Sequence, residues 1–334
     1  MGHIHEMITS VLNDNQPTVF ATIFHVDGSS YRKEGASMFF RLDGSRMGLL
    51  SGGCLENDMQ SRVEEVFNTG AAAVYQYDLS SENDLGWGVG VGCNGIISVF
   101  ARDVDETFRQ SLSFVYQCFT EKKPVLYIQS VKNVDQYVFL NSDKGTFGKW
   151  DQEIPDVWES ILLAAPPFCR YSKLISEEDY FLQLLWPKPS LYIIGAGEDA
   201  RPLAYLASEA EYSVHILDWR EALCSPVYFP SAETIQVDSV EKLMKRIELT
   251  PLDSVVIMTH HFQRDIEILR ILKDLQLFYI GILGSKKRTA RLMDGSIPDW
   301  LHSPVGLSID AEGPKEIAVS IVAQLIAVKN RRQA

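Results

Sequence analysis

Ser190 to Ile194 is a short apolar run that opens onto Gly195-Ala196-Gly197, and a helix-like stretch follows from Glu198 to about Ala210. Strand, glycine turn and helix in that order belong to a parallel α/β sheet: glycine makes the tight turn, and the helix carries the chain back for the next parallel strand. The pattern repeats downstream. Val214 to Leu217 reads as a strand ending at Asp218, Val255 to Met258 as one ending at Thr259-His260-His261, and Phe278 to Leu283 as one ending at Gly284-Ser285. Ile266, Leu269, Ile271 and Leu272 mark the helix between the last two. This alternation predicts a Rossmann-like, doubly wound parallel sheet.

Leu184-Leu185-Trp186-Pro187-Lys188-Pro189 closes the region upstream. Two prolines in three residues favour an extended connector, so the break is expected there, giving domains over 1–186 and 187–334. The first domain follows another rule. Ile4, Met7, Ile8, Val11 and Leu12 recur at helical spacing, and Thr18 to Val26 and Ser37 to Leu42 read as strands. Asp43-Gly44-Ser45 is a hairpin turn. Leu55 to Phe67 reads as a helix, Gly95 to Ala101 as a strand, and Glu106 to Phe119 as a helix. The pattern is α+β, with no internal repeat.

Of 22 glycines, 13 lie in the first 95 residues, clustered at Gly28, Gly35, Gly52-Gly53 and Gly86 to Gly95. Glycine is favoured where φ is positive or where a ligand approaches the backbone, so these loops are candidates for a site. Ser51-Gly52-Gly53-Cys54-Leu55-Glu56 follows a strand and opens a helix; N–H groups there favour an anion and would promote a Cys54 thiolate. The plainer reading of Cys54 is a small buried residue in a turn. Gly86-Trp87-Gly88-Val89-Gly90-Val91-Gly92-Cys93-Asn94-Gly95 has too many glycines for an ordinary strand and places Cys93 beside Gly92 in a second glycine loop.

In the second domain, Gly195-Ala196-Gly197-Glu198-Asp199-Ala200 fits the dinucleotide fingerprint with alanine in third place, and Asp218 lies 21 residues after Gly197, where an acid can bond a ribose hydroxyl. Glu198 and Asp199 would repel a pyrophosphate, so the turn either binds an NAD-type nucleotide or only packs the helix on the sheet. His260, at the end of a parallel strand, can serve as base, ligand or hydrogen-bond anchor. Gly284-Ser285-Lys286-Lys287-Arg288 sets three cations at a strand-to-helix turn, either an anion site or a solvated basic turn.

The net charge of −13 opposes binding to nucleic acid or an anionic lipid surface. It is unevenly shared: residues 190–334 carry 16 basic and 19 acidic side chains, net −3, leaving −10 for the rest. Five cysteines, Cys54, Cys93, Cys118, Cys169 and Cys224, form no CxxC pair, which argues against a disulfide framework or zinc site and for a reducing, cytoplasmic setting. No secretory signal or membrane-length apolar run is read.

Taken in order, these features resemble the XdhC/CoxI family of xanthine dehydrogenase accessory factors. Ala21-Thr22, Gly28-Ser29-Ser30 and Gly35-Ala36 resemble its opening motif, Ser51 to Glu56 its SGGCxE signature, and Gly92-Cys93 its second glycine–cysteine loop. Gly195-Ala196-Gly197, Asp218 with Arg220, Met258-Thr259-His260, Asp265, Tyr279-Ile280-Gly281 to Gly284-Ser285, Pro304-Val305-Gly306-Leu307 and Glu316 to Ile321 continue the likeness almost to the C-terminus. The resemblance implies a dimeric, cytoplasmic molybdenum cofactor (molybdopterin) chaperone without turnover of its own. Its implied partners are an apo xanthine-dehydrogenase-type enzyme and a cysteine desulfurase. Cofactor contacts are then expected at Gly52, Gly53, Cys54, Gly92, Cys93, Gly195, Gly197, Asp218, His260, Gly284, Ser285, Lys286, Lys287 and Arg288, with Cys54 and Cys93 near the molybdenum. Ala200 for the fingerprint's third glycine, Glu198 after Gly197, and Asn94 in the second cysteine loop depart from the family pattern. The competing readings are an NAD-dependent oxidoreductase using His260 as acid/base, and a scaffold bridging a desulfurase and the dehydrogenase.

Overall fold

The structure, a computed structural model, describes residues 3–79, 94–143, 145–175 and 179–331, and within them all side chains but those of 3, 54 and 94. The chain separates into two compact units, Met1–Ala165 with Arg170–Pro187, and Pro166–Cys169 with Lys188–Ala334.

The first unit begins with α1 (His3–Asn13), β1 (Thr18–Ser29), β2 (Ser37–Arg41), β3 (Arg46–Gly48), α2 (Cys54–Arg62), β4 (Ala72–Asp78), β5 (Asn94–Asp103) and α3 (Glu106–Thr120). The five strands form one antiparallel sheet in the order β3-β2-β1-β5-β4. The period of two along β1 decides its two faces. Val19, Ala21 and Ile23 point to one side and pack with Leu55, Met59 and Val63 of the α2 segment. Phe20 and Phe24 point to the other, onto Phe108 and Leu112 of α3 and Met7, Ile8 and Val11 of α1. The helix expected over 55–67 ends at Arg62, and one tighter turn, Val63–Glu65, finishes it.

A second sheet then appears that the sequence reading does not anticipate. It comprises β6 (Val125–Ser130), β7 (Tyr137–Asn141), β8 (Thr146–Lys149), β9 (Ser172–Ile175) and β10 (Tyr180–Leu185), in the order β8-β7-β6-β10-β9, with α4 (Asp156–Ala164) between β8 and β9. Every residue of β6 is buried, so it lacks the alternation that marks a half-exposed strand. Tyr127, Phe139, Tyr137 and Phe181 join the Phe20–Phe108 core.

The second unit contains β11 (Ser190–Ile194), α5 (Ala200–Glu209), β12 (Ser213–Asp218), β13 (Thr234–Val237), α6 (Val240–Arg246), β14 (Asp253–Ile257), α7 (Phe262–Leu272), β15 (Tyr279–Ile282), α8 (Lys286–Leu292) and α9 (Gly313–Arg331). Its strands are all parallel, in the order β13-β12-β11-β14-β15. The doubly wound sheet is therefore as expected, with the strand order reversing between β11 and β14. No helix among the described residues is long and apolar enough to cross a membrane.

Candidate functional site

In the first unit the motif residues gather toward one end of the sheet. Ser29 pairs with Asn94, Thr22 with Ser37, Met38 with Gly48 and Ile96 with Asp78. The turn into α2 leaves from that end, where β5 also begins, although β1 and β5 run well beyond the Thr22–Ser37 pair. Gly92 and Cys93 lie outside the described residues, as does the side chain of Cys54.

The Ser51-Gly52-Gly53 turn is held from within. Glu56, 4% exposed, accepts from Leu50 N–H (3.1 Å), Ser51 N–H (2.7 Å) and the Ser51 hydroxyl (2.5 Å). Ser51 Oγ in turn accepts from Gly53 N–H and Leu55 N–H, both at 3.1 Å. Burial alone would raise the Glu56 pKa, but these hydroxyl and N–H donors outweigh it and hold the carboxyl below its ordinary range. The sequence reading offered these N–H groups to an anion; the chain's own carboxylate and hydroxyl take four of them. Gly53 needs to be glycine because its φ is 112°. Gly52 does not: its φ is not left-handed, and an added Cβ would meet nothing within 4 Å.

In the second unit, the carboxyl ends of the parallel strands carry the predicted residues. Gly195 has φ 117°, and a Cβ there would lie 2.4 Å from Met258 O, so the fold itself requires this glycine. Gly197 resembles Gly52: no left-handed φ, and open space where a side chain would be. Among the described glycines only these two lack an internal reason.

Asp218 is fully buried and accepts four hydrogen bonds: Ala196 N–H at 2.6 Å, Arg220 N–H at 2.8 Å, and the Arg220 guanidinium at 2.7 and 3.0 Å. Burial pushes its pKa up, yet the Arg220 side chain and the two N–H groups pull it below the usual carboxylate range. Both oxygens are committed, so the carboxylate expected at a ribose is here a clamp between the fingerprint turn and Arg220. Arg220 also covers the Trp219 ring at 4.8 Å, and His261 meets that ring edge-on.

His260 is exposed, takes φ 55°, and places Nε2 2.9 Å from Asp199 Oδ2. Beneath it Thr259 donates to buried Asp265, whose second oxygen accepts from Arg288 at 2.6 Å. Arg288 also lies over the Phe262 ring at 5.8 Å. The basic run therefore does not act as three equivalent cations. Arg288 is neutralised by Asp265, whereas Lys286 and Lys287 are exposed and form no ion pair among the described residues. The Ser285 hydroxyl accepts from Arg288 N–H and caps the seven-residue α8.

Comparison with known proteins finds matches over nearly the full length of the chain. The model for the XdhC and CoxI family matches residues 11–78, that for the XdhC Rossmann domain matches 191–325, and that for the BH1974-like central domain matches 106–186. The chain is 40% identical over 334 residues to a probable xanthine dehydrogenase subunit of Bacillus subtilis (strain 168), covering 99% of each. The chain belongs to the XdhC and CoxI family.

Two further relatives frame this family member. The solved structure of a xanthine dehydrogenase from Bacillus halodurans superposes with a TM-score of 0.88 at 44% identity, over 98% of this chain and 96% of that one. The molybdenum cofactor insertion chaperone PaoD of Escherichia coli (strain K12) is 22% identical over 326 residues, 95% of this chain and 85% of that one. The central-domain match covers α3, which the sequence reading expected, and the second sheet, which it did not. Two contacts also escaped sequence reasoning. The Glu56 clasp had a readable sign, since Glu56 stands three residues after the cap residue Gly53, at capping-box spacing. The Asp199–His260 contact had none, because 61 residues separate its partners.

Proposed function

We propose that this protein holds the molybdenum cofactor as cargo and assists its sulfuration and insertion into a xanthine-dehydrogenase-type enzyme, with a cysteine desulfurase as sulfur source. The observation that carries the reading is family membership along the whole chain, together with a relative named for insertion of this cofactor that aligns over 95% of it. The cargo presents a phosphate, a donor-rich pterin, a dithiolene and a metal. Lys286 and Lys287, free of carboxylate partners among the described residues, suit the phosphate. Arg288 is withdrawn from that role by Asp265.

Thiol chemistry supports a role for the glycine-loop cysteines by contrast. Burial raises the pKa of Cys118 and Cys169, and burial with the Asp218 charge pushes Cys224 up to about 11. These three thiols stay protonated and are poor nucleophiles at neutral pH. Sulfur transfer through this chain would then fall to Cys54 and Cys93. The test is activation of the apo-dehydrogenase by free cofactor and a sulfur donor, with wild-type protein, Cys54→Ala or Cys93→Ala. Wild type should raise the active fraction and each variant should do so less. Normal activation by both variants would remove the cysteines from the scheme.

A further inference from the structure

Open parallel sheets bind ligands in the crevice where strand order reverses, outside the carboxyl ends of the strands. Here the reversal lies between β11 and β14. The residues meeting across it are Asp199, from the turn after β11, and His260, from the end of β14, with Oδ2 and Nε2 2.9 Å apart. Gly197 stands at the same turn with open space where a side chain would project, and Glu198 beside it is exposed. Asp199 makes no side-chain capping hydrogen bond to α5.

The chemistry of this crevice is unlike that of a nucleotide site. A pyrophosphate is held by free N–H donors and repelled by a facing carboxylate. Ala196 N–H is already given to Asp218, and Glu198 and Asp199 add two negative groups at the turn. What a carboxylate steadied by an imidazole recognises is an array of N–H donors.

Resting on the carrier reading above, we propose that Asp199, positioned by His260, anchors the pterin ring through its 2-amino and N3–H edge, with Gly197 allowing the flat ring to approach the backbone. That edge is a cyclic guanidine with two parallel donors, the counterpart of a carboxylate's two oxygens. The same crevice rejects NAD.

The test is fluorescence titration of the full-length protein with neopterin, an uncharged pterin, alongside NAD and inorganic pyrophosphate. Wild type should bind neopterin in preference to both anions. Asp199→Asn, which turns one acceptor into a donor, should weaken neopterin about tenfold or more, Asp199→Glu should keep part of the affinity, and His260→Gln should lose less than Asp199→Asn. Thermal midpoints matching wild type would show that the variants are folded; should Asp199→Asn not fold, the His260→Gln and Asp199→Glu pair decides. Wild type that does not bind neopterin, equal binding by Asp199→Asn, or tighter NAD than neopterin would each overturn the proposal. Cofactor retention separates the two readings. Retention independent of Asp199 sinks the anchor alone, whereas Asp199-dependent neopterin binding without cofactor retention sinks the carrier reading and keeps the pterin site.

Discussion

Replacing Glu56 by alanine tests whether the signature turn is built on its buried carboxylate. The substitution strands Leu50 N–H, Ser51 N–H and the Ser51 hydroxyl, in residues that are 0% and 2% exposed. An unsatisfied buried donor costs roughly 1–3 kcal/mol. Gly52 and Gly53 are exposed, so water reaches part of the turn, and the net loss should be about 3 kcal/mol. With a urea slope of roughly 2 kcal/mol/M, the midpoint should fall by about 1.5 M. Glu56→Gln keeps the shape but not the charge and should lose about half as much. The acid limb carries the same logic. The folded carboxyl titrates below its ordinary value of 4.5, so the folded state binds this proton less readily than the unfolded one. Its contribution is complete above the unfolded pKa and disappears as pH falls through the folded one, so wild type and Glu56→Gln should converge there. Urea unfolding at pH 7 and in acid measures both. A Glu56→Ala loss within about 0.5 kcal/mol of zero, the ordinary surface range, or a wild-type–Gln gap unchanged by acid, would refute the reasoning.

Gly35→Ala should destabilise the first unit by about 3 kcal/mol in urea unfolding, because φ is 85° and the new Cβ would fall 2.2 Å from Ser172 Oγ. Arg220→Ala should cost about 2 kcal/mol at pH 7, less than a fully buried pair because Arg220 is partly in solvent. That loss should shrink in acid, as Asp218 takes up a proton; denaturation across pH checks both the size and the trend. Lys286→Gln with Lys287→Gln should weaken cofactor retention, most at low salt, whereas Arg288→Gln should chiefly lower the thermal midpoint; retention measured at two ionic strengths separates them.

The second unit was legible because each parallel strand is a short apolar run closed by a turn residue, so topology followed from element order. Side-chain roles were less so. Asp218 stands where the fingerprint puts its acid, but Arg220 two residues on converts it into an internal ion pair. Arg288 belongs to a basic run in the sequence and to Asp265, 23 residues earlier, in space. The second sheet stayed hidden because its central strands are buried on both faces and carry no alternation. In the first unit, the glycine clusters were legible as candidate loops, while the burial of Glu56 depended on packing that no local spacing reveals.

The carrier claim is tested most directly by loading. The protein is mixed with free molybdenum cofactor under anaerobic conditions and re-isolated, and molybdenum and pterin per chain are measured. The account predicts retention of both at close to one per chain. Re-isolated protein holding neither would contradict it.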